Sequence, residues 1–262
     1  MTELSLSAVS VVIRGRALLR EVSFSVRSGE FVAVVGPNGA GKTSLLRTAL
    51  GLIAPSSGEV TIDGRPSASL HGRERAARVA WLPQQLAPSE PLTALEIVTA
   101  ARYRFDESRA QARKASLAAL ERLRAEALAD TRIDRMSGGE RQRVALAALL
   151  TQEAGILLVD EPANHLDPGH QAETYRLLGE LWRQGLGVVC VTHDVNLLAH
   201  AGRAAELRLL GLSGGSTRFE THYADAALDS KLGELFGIAM GSFQAGHRRF
   251  VVPLIEAEEP TP

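Results

Sequence analysis

The apolar positions of this chain change period along its length, and those changes mark its elements. Between residues 4 and 26 they alternate with polar ones in two runs around Arg14-Gly15-Arg16, which predicts two short strands. The turn Arg27-Ser28-Gly29-Glu30 leads into Phe31-Val32-Ala33-Val34-Val35, an unbroken apolar run of the kind a strand buried on both faces requires. Leu45, Leu46, Ala49 and Leu50 then recur at helical spacing up to about Gly51. Ser56-Ser57-Gly58 is a turn, Glu59-Val60-Thr61-Ile62 a strand stopped by Asp63-Gly64, and residues 79–82 a strand closed by Pro83-Gln84-Gln85.

Residues 87–143 read differently. Strand-forming runs disappear, and Thr93 with Glu96 makes a capping box ahead of Ile97, Val98 and Ala101. Residues 107–128 place Leu117, Leu120, Leu123 and Leu128 at helical spacing, so this stretch predicts an inserted helical subdomain. Arg102, Arg104, Arg109, Arg113, Arg122 and Arg124 are interleaved with Asp106, Glu107, Glu121 and Glu126. A solvated helix face is the expectation, with a surface for anionic lipid headgroups as the sharper alternative. From residue 144 strands and helices alternate: helix 140–152, strand 156–159, helix 169–183, strand 187–192, a short helix near 195–200 and strand 204–210. That alternation argues for a largely parallel sheet with helices on both faces. Beyond Gly211 the pattern weakens to two short helices within 219–236, a last strand over 248–254 and a disordered tail at 256–262.

Composition narrows the picture by exclusion. Apolar residues make up 45% and charged residues 23% of the 262, which is ordinary for a soluble protein with one large core. A net charge of −1 provides no global field for nucleic acid or an acidic membrane. The single cysteine, Cys190, rules out an internal disulfide and sits in an apolar run that reads as core. Glu3 interrupts the start, which does not read as a signal segment, and no apolar run approaches the ~20 residues that span a bilayer. Any membrane role is expected to come through a partner.

Candidate chemistry begins directly after the first buried strand. Gly36-Pro37-Asn38-Gly39-Ala40-Gly41-Lys42-Thr43 fits GxxxxGK[ST], a phosphate-binding loop. Its glycines let the backbone aim N–H groups at an anion, and the following helix adds its positive end. Lys42 supplies a cation for the outer phosphates and Thr43 a hydroxyl for Mg²⁺. Ile156-Leu157-Leu158-Val159-Asp160-Glu161 puts two carboxylates at the carboxyl end of another apolar strand, pointing to opposite sides. Asp160 is assigned to the metal and Glu161 to general base. His193 ends a further apolar strand, where a neutral imidazole could bond the γ-phosphate or the attacking water. Gln84 offers a carbonyl to Mg²⁺ or that water, with Gln85 as its rival. Met136-Ser137-Gly138-Gly139-Glu140 opens another helix with a capping box and thus a second anion-binding helix start. One phosphate loop has no need of a second such site in its own subunit, which suggests that each nucleotide is closed over by another copy.

These segments, in this order and spacing, resemble the ATP-binding subunit of an ATP-binding-cassette (ABC) transporter over roughly residues 3–255. The resemblance identifies residues 36–43 as Walker A, Gln84 as the Q-loop, residues 137–140 as the signature, residues 156–161 as Walker B, Asn164-His165-Leu166-Asp167 as the D-loop and His193 as the switch histidine. It implies an α/β fold: a P-loop, RecA-like core with a mostly parallel sheet, an N-terminal antiparallel β subdomain and an inserted helical subdomain. One domain would divide into a core with the β subdomain (1–86 and 144–215), a helical subdomain (87–143) and a C-terminal extension (216–262). ATP contacts fall on Gly36, Pro37, Asn38, Gly39, Ala40, Gly41, Lys42, Thr43 and Ser44, and in trans on Ser137, Gly138, Gly139, Glu140 and Asp167. Mg²⁺ falls to Thr43, Gln84 and Asp160, and hydrolysis to Glu161, His193 and Gln84. Implied partners are a second copy in a head-to-tail sandwich, a membrane permease that docks in the Gln84 groove, and indirectly an extracytoplasmic substrate-binding protein. No nucleic acid is expected. The chain would sit peripherally on the cytoplasmic face of the inner (plasma) membrane.

Short tokens point further, to the ATPases of iron–siderophore, haem and cobalamin importers: Leu82-Pro83-Gln84, His170-Gln171, residues 192–197, Leu235-Phe236-Gly237-Ile238 and Val251-Val252-Pro253. An exporter or lipid-trafficking ATPase is the main alternative within the family, and a soluble ABC protein of iron–sulfur assembly a lesser one. The stretch from Gln84 to Ser137 is too short for the coiled coil of a DNA-repair member, and a single cassette disfavours the translation-associated class. Two departures stand out. Members usually stack an aromatic from the first hairpin on adenine, whereas this chain has Ile13-Arg14-Gly15 there, leaving Ile13, Arg14 or Arg16 to take that place. Ala163 replaces a threonine common after Glu-Pro, with hydrolysis expected to survive.

Overall fold

The computed structural model describes residues 1–84, 92–246 and 248–254, so Gln85 and the tail from 255 lie outside the described residues. In chain order the elements are β1 (Glu3–Ile13), β2 (Arg16–Arg27), β3 (Phe31–Val35), α1 (Lys42–Ala49), β4 (Ser57–Ile62), β5 (Arg65–Pro66), α2 (Gly72–Ala76) and β6 (Val79–Leu82). Then come α3 (Ala94–Ala100), α4 (Arg109–Arg122), α5 (Gly138–Leu150), β7 (Ile156–Asp160), α6 (Pro168–Arg183), β8 (Gly187–Val191), β9 (Arg208–Ser213), β10 (Ser216–His222), α7 (Leu228–Phe236), β11 (Met240–Ala245) and β12 (Arg248–Pro253).

The central sheet has six strands in the order β10-β9-β3-β8-β7-β6. All neighbours are parallel except β10, which pairs antiparallel with β9. Alternate residues of β3 enter different cores. Phe31, Ala33 and Val35 pack with residues from α3, α4, α5 and α6, while Val32 and Val34 pack with α1 and the second sheet. That second sheet, β2-β1-β4-β5, is antiparallel throughout. The unbroken apolar runs of β3, β7 and β8 thus follow from burial on both faces.

The register fixes where chemistry can occur. Val34 lies beside Val191, Asp160 beside Val191, and Leu82 beside Val159. The segments after β3, β6, β7 and β8 therefore leave the sheet at one edge, at the carboxyl ends of the strands, where open α/β sheets bind ligands.

Several expectations need correction. Residues 216–222 form a strand of the core sheet, where the first of two short helices was expected within 219–236, so the segment from 216 starts with β10. Gly214 and Gly215, both at positive φ (59° and 81°), make the two-residue hairpin turn between Ser213 and Ser216. A single helix, α7, stands where two were expected, and β11, β5 and α2 were not anticipated. β9 begins at Arg208 rather than 204, and the boundary expected at 143/144 falls inside α5. Arg102 does not join a solvated face. It is buried, paired with Glu107 and Glu153, and donates to the Thr151 carbonyl. Arg104 likewise turns inward to the Gln152 carbonyl. Arg109, Arg113, Arg122 and Arg124 are exposed.

Candidate nucleotide-binding and hydrolysis site

The loop after β3 turns sharply at Gly36, whose φ is 154° and where an added Cβ would lie 2.0 Å from the Leu212 carbonyl oxygen. Any other side chain would clash with the backbone of β9 there, so the residue must be glycine. The loop ends on Gly41, the N-cap of α1, which has no side-chain cap and no acid in its first turn. The free N–H groups of that turn and the helix dipole therefore face the loop without a negative partner from their own helix. Lys42 is 6% exposed, and its ammonium donates to the carbonyls of Gly36 (2.7 Å) and Pro37 (3.0 Å). Burial lowers its pKa, and the charges of Glu161 and Asp160 oppose that fall.

Asp160 ends β7 with 1% exposure, and its Oδ1 has no hydrogen-bond partner. Burial raises its pKa, and a hydrogen bond from Thr43 works against that rise. A desolvated carboxylate oxygen with no partner, beside a hydroxyl, is a hard-oxygen donor set suited to Mg²⁺. Among the described residues no group of three or more His, Cys, Asp and Glu forms a metal cage. Mg²⁺ does not need one, since it commonly takes one or two carboxylates and completes its shell with substrate phosphates and water.

Glu161 sits in the left-handed region at φ 48°, a backbone strain of about 1 kcal/mol for a non-glycine residue. Its N–H donates to the Val191 carbonyl, which ties the turn to β8 (3.0 Å). Three loops converge on its Oε2: Gln84 Nε2 donates at 2.8 Å, Asn164 Nδ2 donates at 3.0 Å, and His193 Nδ1 stands 4.0 Å away. The Gln84 amide thus meets Glu161 through nitrogen; Gln85, its rival for the carbonyl contact to Mg²⁺ or water, lies outside the described residues. Asn164 was read only as part of a motif, with no role. A turn closed by Asn164 N–H on the Glu161 carbonyl (3.2 Å) folds this amide back onto the acid.

Two cavities share Asn38 and Glu161. One, of about 660 Å³, is lined by residues 36–38, Gln84, Glu161, Asn164, His193 and Phe236. The other, of about 260 Å³, runs along residues 38–44 to Arg16 and Leu18. Of the three residues considered in place of an aromatic, only Arg16 lines this second cavity. Ala163 is buried, as is Cys190, whose thiol burial pushes up to about 12.

The signature segment lies elsewhere. Ser137 caps α5 reciprocally with Glu140: the Glu140 N–H reaches Ser137 Oγ (3.3 Å), and the Ser137 N–H and hydroxyl both donate to Glu140 Oε2 (2.8 Å each). A Cβ at Gly139 would stand 2.2 Å from His170 Cδ2, so any other residue there would displace the His170 ring. Asp167 caps α6 by accepting from the His170 N–H (3.1 Å) and pairs with the His170 ring, which holds its carboxyl below the ordinary range. None of Ser137, Gly138, Gly139, Glu140 or Asp167 lines either cavity. The chain thus brings Gly36–Ser44 of the loop, Gln84, Asp160, Glu161 and His193 to one sheet edge, while the other five predicted residues sit at the starts of α5 and α6, outside both cavity linings.

A family model described as ABC transporter matches residues 19–164. The chain belongs to the ABC transporter family. This ABC ATPase is 36% identical over 243 residues to the hemin import ATP-binding protein HmuV of Rhizobium meliloti (strain 1021), covering 89% of this chain and 91% of that protein. It is 36% identical over 202 residues to the probable siderophore transport system ATP-binding protein YusV of Bacillus subtilis (strain 168), covering 75% and 74%. Its fold matches the ATP-binding cassette MJ0796, a dimer in a post-hydrolysis state bound to ADP and Pi, with a TM-score of 0.74 and 30% identity over 85% of this chain and 99% of that one. No helix of the ABC ATPase is long and apolar enough, among the described residues, to cross a membrane.

Proposed function

We propose that this ATPase drives a membrane importer for iron–siderophore, haem or cobalamin cargo, and that two copies form each catalytic site. The similarity to proteins named for hemin import and siderophore transport supports the cargo class. The observation that carries the chemistry is the convergence of Gln84, Asn164 and His193 on one oxygen of Glu161, beside a phosphate loop whose helix start is uncapped.

ATP lies along residues 36–44 with its outer phosphates toward Lys42, which exchanges its two carbonyl partners for phosphate oxygens. Thr43 and Asp160 hold Mg²⁺, which when bound neutralises charge on the phosphates; the Gln84 carbonyl is free for it too, because the Gln84 contact to Glu161 uses Nε2. Two amide donors anchor Glu161 through Oε2, which leaves Oε1 to accept a proton from the attacking water. His193, more than half exposed, completes the γ-phosphate side. Catalysis is mostly positioning and charge stabilisation, since phosphoryl transfer asks little covalent chemistry of the protein.

Ser137, Gly139 and Asp167 of the second copy close the site in trans. Contacts that exist only in the closed pair shift the equilibrium toward closure when ATP is bound. Closure moves a permease helix seated near Gln84, and hydrolysis reopens the pair. The chain then works at the cytoplasmic face of the membrane, with a binding protein delivering cargo on the other side. Glu161→Gln tests the base assignment: kcat falls by about a thousandfold while ATP binding persists, measured by phosphate release and equilibrium nucleotide binding. Hydrolysis at the parental rate would show that Glu161 is not the base.

A further inference from the structure

The larger cavity has one lining residue from a distant part of the chain, Phe236, the last residue of α7. The helix is anchored by Leu228, Leu232 and Leu235, all buried in the same core as Val195 and Leu198 of the short helix that follows His193. It stops abruptly because Gly237 takes φ 69° and donates to the Gly233 carbonyl (2.8 Å). The chain turns away and leaves Phe236 in the lining of the cavity that also contains Gln84 and Glu161.

The same C-terminal element grips the His193 segment at a second place. Asn196 Nδ2 donates to the Val251 carbonyl (3.0 Å), and the Val251 N–H donates to Asn196 Oδ1 (2.7 Å). This side-chain amide pairs with β12 as a strand residue would. Asn196 N–H in turn donates to Asp194 Oδ1 (2.9 Å), and the Asp194 N–H to Thr192 Oγ1 (3.2 Å), so the hydrogen bonds bracket His193. Arg249 locks the β11–β12 hairpin to α7 through Asp229 Oδ1 (2.7 Å) and the Asp225 carbonyl (2.6 Å). α7, β11 and β12 therefore tie the wall of the cavity and the support of His193 into one unit.

We infer that this C-terminal element is part of the hydrolysis site, with Phe236 as the wall that excludes bulk water from the Glu161 compartment and Asn196 as a positioning residue for His193. The inference rests on the assignment of Glu161 and His193 to hydrolysis. Excluding water strengthens every charge interaction on the attacking water, and a fixed backbone at residues 192–196 holds the imidazole on the γ-phosphate side.

The test is steady-state hydrolysis by the full chain carrying Phe236→Ala, Phe236→Leu, Asn196→Ala, His193→Ala and the Asn196→Ala/His193→Ala pair. Phe236→Ala and Asn196→Ala each lower kcat about tenfold with KM for ATP within about twofold. Phe236→Leu, which keeps the apolar bulk and serves if the alanine variant does not fold, retains about half the parental kcat. Asn196→Ala adds less than about twofold to the loss in the His193→Ala background, because it acts through that histidine. Parental kcat in both single alanine variants, or an equal loss from Asn196→Ala with and without His193, overturns the inference. Glu161→Gln separates the two levels: an active Glu161→Gln removes the hydrolysis assignment itself, whereas an inactive one beside parental Phe236→Ala and Asn196→Ala removes only the role of the C-terminal element.

Discussion

Two helix starts in this molecule are assigned to phosphate in the proposed function, and they are built in opposite ways. α1 begins on a left-handed glycine with no cap and no first-turn acid, next to a desolvated lysine and a carboxylate oxygen with no partner. α5 begins on a complete capping box, with Ser137 and Glu140 satisfying each other and hydrogen bonding lowering the Glu140 pKa. The first site carries unmet polar demand that its own chain does not answer. The second is finished without a ligand, which lets it stand on the surface and meet another molecule as a rigid body. In the proposed shared site, the first start binds nucleotide and the second meets nucleotide already bound to another copy.

The comparison breaks most sharply at Lys42. Lys42→Ala removes the buried ammonium at the loop and weakens ATP binding about a hundredfold, read by equilibrium titration, if α1 depends on ligand charge as described. Ser137→Ala probes the other start. It leaves ATP affinity of the single chain unchanged, lowers hydrolysis by the paired chains about tenfold, and costs about 1 kcal/mol of stability through the lost cap. A fall in single-chain affinity would mean that the two starts are not independent.

The smallest expected shift, and the most specific, is in the melting of Asp160→Asn. Burial raises the Asp160 pKa, so the folded state holds its proton more tightly than the unfolded state does. The stability penalty is absent below the ordinary aspartate range, grows as pH rises from there to the raised value, and stays constant above it. Without nucleotide, Asp160→Asn therefore melts about 3 °C higher than the parent at neutral pH and level with it in acid, although it no longer hydrolyses ATP. A melting difference that does not change with pH would contradict the uncompensated charge.

Much of this was legible in sequence because the signals were local. Residues 31–43 announce a buried strand and a phosphate loop in one reading, and Ser137 with Glu140 announces a cap that the structure contains. Asn164 was not assigned a role because its contact with Glu161 depends on the conformation of one tight turn, and Asn196 and Phe236 were not because theirs depend on packing that brings distant segments together. Arg102 reads as a solvated charge by composition, yet Glu107 and Glu153 accompany it into the interior. β10 was hidden by its polar alternation as an edge strand, although Gly214-Gly215 carried the hairpin signal.

The claim that each site is shared between two copies is tested most directly by mixing two dead chains. One carries Glu161→Gln, the other Ser137→Arg, and each is inactive when it is the only ATPase in the assembled complex. Random mixing makes half of the pairs mixed, and each mixed pair contains one site with an intact Glu161 facing an intact Ser137, so about a quarter of parental hydrolysis returns. A mixture as inactive as its two components, with mixed pairs confirmed by cross-linking, would contradict a site divided between two chains.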